Sequence, residues 1–348
     1  MSVQQAIVVE SPKAPFTLGS AKIPSPAKGE VLVKILSVAL NPADWKQREY
    51  DVIREYPAVL GCDVAGVVEK LGEGAEGFKK GDKVFAQIPA GGFQQYTTVP
   101  AAVLMPIPEN ANFDEVATIP VAFTTAAVGL FAAAPIGLGL NPNFSWDKPH
   151  QGESALVIGA ATSVGQFVIQ LFKFLGFTRI IAYASKTHFD YLKQLGATEF
   201  VDRVEVPVAS LAAHPALSPP VKVVFDVGNA PDEAYDCVAD GGSIATAVWA
   251  EKPDRNMKGK KVTVASAIGY IAGADLGFVG YLGTPEHTVF GRLIIRNLPE
   301  MFKKGVVVAN RIEILPNGLV GILGGLERLQ KGSVSGVKLV AHPQDPAA

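Results

Sequence analysis

The residues from Ser154 to Gly165 come in an order that suits chemistry on a phosphate. An apolar run at 155–158 enters a loop of small residues and then an apolar-periodic segment at 166–175. Gly159 permits a sharp turn, and Gly165 lets a helix pack close to the strand before it. The helix N-terminus offers N–H groups and a positive dipole end to a pyrophosphate, through Ala161, Thr162, Ser163 and Val164. This is the pattern of the first strand–helix turn in a dinucleotide-binding sheet. Thr162 and Ser163 stand where glycines are commoner, so a plain buried strand–turn–helix stays open as the alternative reading.

The next strand, 179–184, ends in Ser185-Lys-Thr-His188. A site for NAD places Asp or Glu at this strand end to hold the ribose hydroxyls, and no carboxylate stands here. Ser185, Lys186, Thr187 and His188 offer hydroxyls, an ammonium and an imidazole, which suit a 2′-phosphate. Arg203, after a third strand at 199–201, adds a second cation. The reading favours NADPH over NADH, with helix-capping and surface side chains as the alternative. Two more strands follow, 221–225 leading to Asp226 and 242–248 closing on Ala247 and Val248. Their C-terminal ends face the cofactor crevice of such a sheet.

Those elements need a scaffold, and the chain supplies a large one. Its 348 residues are 48% hydrophobic and 18% charged, with a net charge of −2, which fits a soluble globular protein with two cores. That balance gives no reason to expect nucleic acid or a membrane surface. The longest apolar run, 118–140, is broken by Pro120 and Pro135 and reads as buried helix and loop. Met1 to Gln5 show no leader pattern, and two cysteines, Cys62 and Cys237, fit a reducing compartment, so cytosol is the expected location. The first hundred residues read as β, with strands at 5–10, 30–39, 63–71, 83–87 and 93–99. Helical patterns follow at 113–118 and 123–134, then strand–helix alternation from 154 to about 265. The end of the chain is helix-rich and closes with a strand at 337–341.

Four motifs in this order carry a resemblance: Gly61-Cys-Asp-Val-Ala-Gly66, Gly72-Glu-Gly-Ala-Glu-Gly-Phe-Lys-Lys-Gly-Asp-Lys-Val84, Thr124-Thr-Ala126 and Leu195-Gly-Ala197. Together they resemble the medium-chain dehydrogenase/reductase superfamily over essentially the whole chain. The resemblance implies an α/β protein: a GroES-like β domain at 1–120, completed by about 290–348, plus a Rossmann doubly wound parallel sheet at 121–289. Zinc alcohol dehydrogenases of this superfamily carry a His-Glu pair where Cys62-Asp63 stands. The five histidines, His150, His188, His214, His287 and His342, are scattered without ligand spacing, so no metal is expected.

Without zinc, the sequence is similar to quinone oxidoreductases and enoyl reductases. Asn41-Pro-Ala-Asp-Trp-Lys46, Phe290-Gly-Arg292, Leu298-Pro299 and Gly332-Ser-Val-Ser-Gly-Val-Lys-Leu-Val340 resemble the fungal subgroup that includes trans-acting enoyl reductases of polyketide synthases. The resemblance implies NADPH-dependent hydride transfer to a conjugated C=C of an enoyl or enone substrate. The substrate is then a small molecule or an acyl thioester, with a polyketide synthase as a candidate partner and a monomer or homodimer as the assembly. It places Ala43, Asp44, Trp45, Lys46, Ser335 and Gly336 beside the cofactor.

Lys46, which follows a turn at Asn41–Trp45, is the candidate donor to the oxyanion that grows on the carbonyl. It could instead hold the cofactor, serve as acid or be a solvated surface lysine, and Asp44 either orients it or caps a short helix. Thr124 and Thr125 are candidate partners of the nicotinamide amide or the acyl carbonyl, with Thr125 favoured by its spacing to Leu130. Back-bonding to a helix carbonyl stays open for both. Tyr96, Tyr270 and Tyr281 are candidate proton donors with nothing in the sequence to select one. The glycine- and aromatic-rich stretches 269–273 and 276–281 read as a roof over an apolar cleft or equally as a subunit edge. Two other functions stay open: a quinone oxidoreductase acting on small quinones and enals, and a non-catalytic NADPH-binding scaffold.

Overall fold

The structure is a computed structural model that describes residues 2–247, 259–267 and 284–346. Two units are formed, Met1–Val121 with Ile271–Ala348, and Ala122–Tyr270. Strands dominate the start of the first: β1 (Val3–Val9), β2 (Thr17–Lys22) and β3 (Glu30–Ala39), then α1 (Pro42–Glu49). Next come β4 (Ala58–Val59), β5 (Asp63–Leu71), β6 (Lys83–Gln87), β7 (Tyr96–Pro100), β8 (Met105–Pro106) and α2 (Phe113–Ala117). β1 lies between β2 and β4 in a small antiparallel sheet, while β3 pairs with both β5 and β7. Apolar residues alternate inward along these strands, so Ile7, Val31, Val33, Ile35, Val64, Val84 and Phe93 make one core.

α3 (Pro120–Phe131) leads into β9 (Ser154–Ile158), α4 (Ser163–Leu175), β10 (Arg179–Ala184), α5 (Phe189–Leu195) and β11 (Glu199–Asp202). β12 (Val221–Asp226), α6 (Pro231–Cys237), β13 (Val238–Thr246) and β14 (Thr263–Ser266) complete the second unit. Among the described residues its six strands are ordered β11-β10-β9-β12-β13-β14, and every neighbouring pair is parallel. This is the doubly wound order, with its reversal between β9 and β12, where such sheets bind ligands. β9 reads as a continuous apolar run because a central parallel strand is covered on both faces.

The chain returns to the first unit through α7 (Pro285–Lys303), β15 (Ile312–Ile314), α8 (Leu319–Gln330) and β16 (Lys338–Ala341). β16 lies antiparallel to β3 and parallel to β15, so the C-terminus closes the larger sheet of the N-terminal unit. The expected pairing of a GroES-like β domain with a Rossmann sheet is therefore present. No helix among the described residues is long and apolar enough to cross a membrane.

Local differences have local causes. Residues 41–45, which read as a turn ahead of Lys46, begin the helix α1, because Pro42 sits in its first turn and Asp44 accepts the Asn41 N–H at 2.7 Å. The helix expected from 123 begins at Pro120, where the Asp63 carboxylate, distant in sequence, accepts the Val121 N–H at 2.9 Å. β2 escapes a reading by alternation because it is mostly exposed and owes its form to pairing with β1.

Candidate active site and nucleotide-binding surface

The phosphate end of the candidate site is built on the loop from β9 to α4. Gly159 has φ +79°, a left-handed conformation that favours glycine. Thr162 caps α4: its hydroxyl donates to the Gly159 carbonyl at 2.8 Å and accepts the Gly165 N–H at 3.1 Å. A Cβ on Gly165 would lie 2.5 Å from the Gly159 oxygen, so only glycine lets the helix come this close. Below the loop, the buried Gln166 amide donates to the Ala161 carbonyl at 2.9 Å, and the Tyr191 hydroxyl donates to Gln166 Oε1 at 3.1 Å. Ala161, Ser163 and Val164 are half-buried and Thr162 exposed, on a loop fixed from beneath. A loop of small residues, fixed from beneath at a helix N-terminus, fits a dinucleotide pyrophosphate.

At the next strand end, Ser185 follows β10 and Arg203 follows β11. The Arg203 guanidinium donates through Nε to the Ser185 hydroxyl at 2.7 Å, so parallel pairing of these strands brings the two residues together. Lys186 and Thr187 are exposed beside them, while His188 is buried at 9% exposure. On the other side of the switch point, Asp226 accepts the N–H groups of Gly228 and Ala230, both at 2.7 Å. Burial is the main cause that holds its carboxyl above the usual range. Ala247 donates its N–H to the Asp226 carbonyl at 2.9 Å. Val248, Tyr270, Tyr281 and the stretches 269–273 and 276–281 lie outside the described residues.

Both threonines of α3 are buried, Thr124 completely and Thr125 at 7% exposure. Thr124 Oγ1 has no hydrogen-bond partner among the described residues, which costs about 1–3 kcal/mol unless a ligand supplies one. Thr125, the threonine favoured by spacing, already has a partner.

In the first unit, α1 carries Ala43 through Lys46. The Lys46 ammonium lies 5.7 Å from the centroid of the Trp45 ring, and Trp45 Nε1 is a buried donor without a partner among the described residues. Asp44 is fully buried, so its carboxylate caps α1 and presents no exposed edge to a cofactor. Burial pushes it up to about 7, and the neighbouring Asp63 charge adds to the rise. Ser335 is exposed, while Gly336 is buried with its carbonyl accepting from Arg311 Nε at 3.1 Å. Tyr96 is half-buried in β7.

Sequence reading missed a buried polar cluster beneath α1. Asp63 Oδ2 accepts from Asn41 Nδ2 at 2.9 Å and lies 3.4 Å from the Lys338 ammonium, which also donates to Asn41 Oδ1. The exposures are 0% for Asp63, 3% for Lys338 and 2% for Asn41. Cys62, beside them, donates to the Pro89 carbonyl at 3.4 Å, and burial raises its thiol well above the usual range. The available signal was a single lysine within the apolar run 337–341. Among the described residues, no three His, Cys, Asp or Glu side chains are grouped as a metal ion would need.

Residues 27–109 match the alcohol dehydrogenase GroES-like domain. The chain is 30% identical to the trans-enoyl reductase resD of Aspergillus sclerotiorum over 97% of its own length and 99% of that protein. It is 36% identical to the trans-enoyl reductase tazE of Aspergillus terreus over 59% of this chain and 70% of that one. Among solved structures, an alcohol dehydrogenase superfamily protein from Novosphingobium aromaticivorans superposes with TM-score 0.76 at 25% identity, covering 97% of this chain and 99% of that one. The CurK enoyl reductase superposes with TM-score 0.75 at 20% identity, covering 98% and 99%. A GroES-like β domain, a parallel sheet with a glycine-built cradle and these relatives agree: the chain belongs to the medium-chain dehydrogenase/reductase superfamily of nicotinamide-dependent oxidoreductases, in which it is similar to the fungal trans-enoyl reductases.

Proposed function

We propose that the protein is an NADPH-dependent enoyl reductase, with an enoyl thioester of the polyketide type as its substrate class and a polyketide synthase as the partner that presents it. The observation that carries the cofactor choice is the Arg203–Ser185 bond beside Lys186, with no carboxylate among residues 185–188 that follow β10. Two cations and a hydroxyl suit a 2′-phosphate, and a carboxylate would repel it. The substrate class is supported by the trans-enoyl reductases among the relatives.

The cofactor, when bound, supplies a hydride to the carbon β to the carbonyl. The protein's part is binding and charge control. Gly159 to Gly165 hold the pyrophosphate, and Ser185, Lys186 and Arg203 hold the 2′-phosphate. The Thr124 hydroxyl, buried and without a partner among the described residues, is the donor available to the nicotinamide amide or the acyl carbonyl. Lys46 donates to the oxygen on which negative charge grows, an interaction stronger in the transition state than in the ground state. No protein metal takes part in this scheme.

The test is oxidation of NADPH and NADH, followed by absorbance, over a panel of enoyl thioesters, enones and quinones with a strong chelator present. The expected result is fastest turnover of enoyl thioesters with NADPH, unaffected by the chelator. Fastest turnover of quinones, a preference for NADH, loss of activity to the chelator, or NADPH binding with no turnover of any compound would each overturn it.

A further inference from the structure

We infer that Lys338 and Asp63 act as a positioning pair for the catalytic face of α1, an inference that rests on the proposed function for its kinetic consequence. Each oxygen of the Asp63 carboxylate has a defined job. Oδ1 accepts the Val121 N–H at 2.9 Å, in the first turn of the helix that continues to Thr124 and Thr125. Oδ2 accepts Asn41 Nδ2 at 2.9 Å and faces the Lys338 ammonium at 3.4 Å. Asn41 is the cap of α1, the helix that carries Trp45 and Lys46. Lys338, three residues after Ser335, closes the triangle by donating to Asn41 Oδ1, and its backbone N–H is held by the Arg311 carbonyl at 2.7 Å. One buried pair thus ties the start of α1, the first turn of α3 and the start of β16 to fixed positions.

The pair is costly to keep dry, and a stability role alone would be met by apolar residues of the same volume. Its geometry gives it more than packing to do. The Asp63 carboxylate bonds and the Lys338 ammonium bond fall on the cap of α1 and the first turn of α3, the helices that carry Trp45, Lys46, Thr124 and Thr125. Both side chains are too deeply buried to meet a ligand themselves. The groups facing Asp63 are Asp44 from α1, Cys62 beside it on the way into β5, Lys338 from β16, the Asn41 amide and the Val121 N–H. Lys338 is the single cation in that group. Its removal strands a buried carboxylate next to a second one, so Asp63 must then take up a proton or draw in water.

Three variants test this: Lys338→Met, Asp63→Asn and the double variant. In Lys338→Met, kcat for the enoyl thioester should fall about tenfold to a hundredfold at alkaline pH, with KM for NADPH changed by less than about twofold. Part of the loss should return at acid pH, where the stranded carboxyl is protonated. The double variant replaces the ion pair with a neutral amide and an apolar stem, so its kcat should recover to within about threefold of the unmodified protein at all pH values.

Hydrogen exchange supplies a readout that needs no turnover. Amides of α1 and the first turn of α3 should exchange faster in each single variant and recover in the double, while those of β9 and β12 stay unchanged. Absence of turnover by the unmodified protein would refute the proposed function, and the exchange pattern would still judge the pair. Single variants equal to the unmodified protein in kcat and exchange, or a double variant no better than the worse single, would overturn the inference. If the single variants are insoluble, a soluble double variant supports it, and a double variant equally insoluble overturns it.

Discussion

Asp44→Asn probes the electrostatics under α1 through the pH dependence of folding. In the folded protein the carboxyl is fully buried and held at about 7, against an ordinary value of 3.8. An acid whose folded value is raised binds more protons folded than unfolded between those two values. Its favourable contribution is complete below the unfolded value and is lost as pH rises through the folded one. Each tenfold difference in proton affinity between the two states is worth about 1.4 kcal/mol, so from about pH 5 to about pH 7 this group removes on the order of 2–3 kcal/mol of stability. Asn keeps an oxygen that accepts the Asn41 N–H and carries no charge, so the cap survives while the titration disappears. Urea unfolding at a series of pH values, with each variant curve subtracted from the unmodified one, isolates this group together with its coupling to Asp63. The gap should move in favour of Asp44→Asn as pH rises, by about 2–3 kcal/mol over that window. Parallel curves would show that the carboxyl titrates alike in both states, and the reasoning from burial would fail.

Three further outcomes concern the site itself. Lys186→Ala should weaken NADPH binding about tenfold to a hundredfold and NADH binding little, measured by titration; equal losses would remove the 2′-phosphate assignment. Lys46→Ala should lower kcat and kcat/KM together by roughly 10²–10³, as expected for loss of one transition-state donor, while the Kd for NADPH holds. A raised Kd with normal single-turnover hydride transfer would make it a cofactor grip instead. Gly165→Ala puts a Cβ 2.5 Å from the Gly159 oxygen and 2.8 Å from Ala160, both backbone. It should cost about 1–3 kcal/mol in thermal or urea unfolding and weaken both cofactors alike.

Local features were legible without coordinates. The alternation in 30–39 and 63–71, the apolar run 155–158 and the small-residue loop after Gly159 each dictate an element through interactions between near neighbours in the chain. The order of these motifs also specified the superfamily, and through it the two domain types. The absence of Asp or Glu after β10 was visible too, because a missing charge is a property of composition.

Features that depend on residues distant in the chain waited for the fold. Ser185 and Arg203 meet because β10 and β11 pair in parallel register. Among the described residues Thr124, not Thr125, is left with an unpartnered hydroxyl, since adjacent helical positions point in different directions and only packing selects between them. Asn41 and Lys338 stand 297 residues apart, and no sequence pattern links a lone lysine in an apolar strand to them or to Asp63. A buried charge must find its partner in space, and which residues share that space is settled by the fold alone.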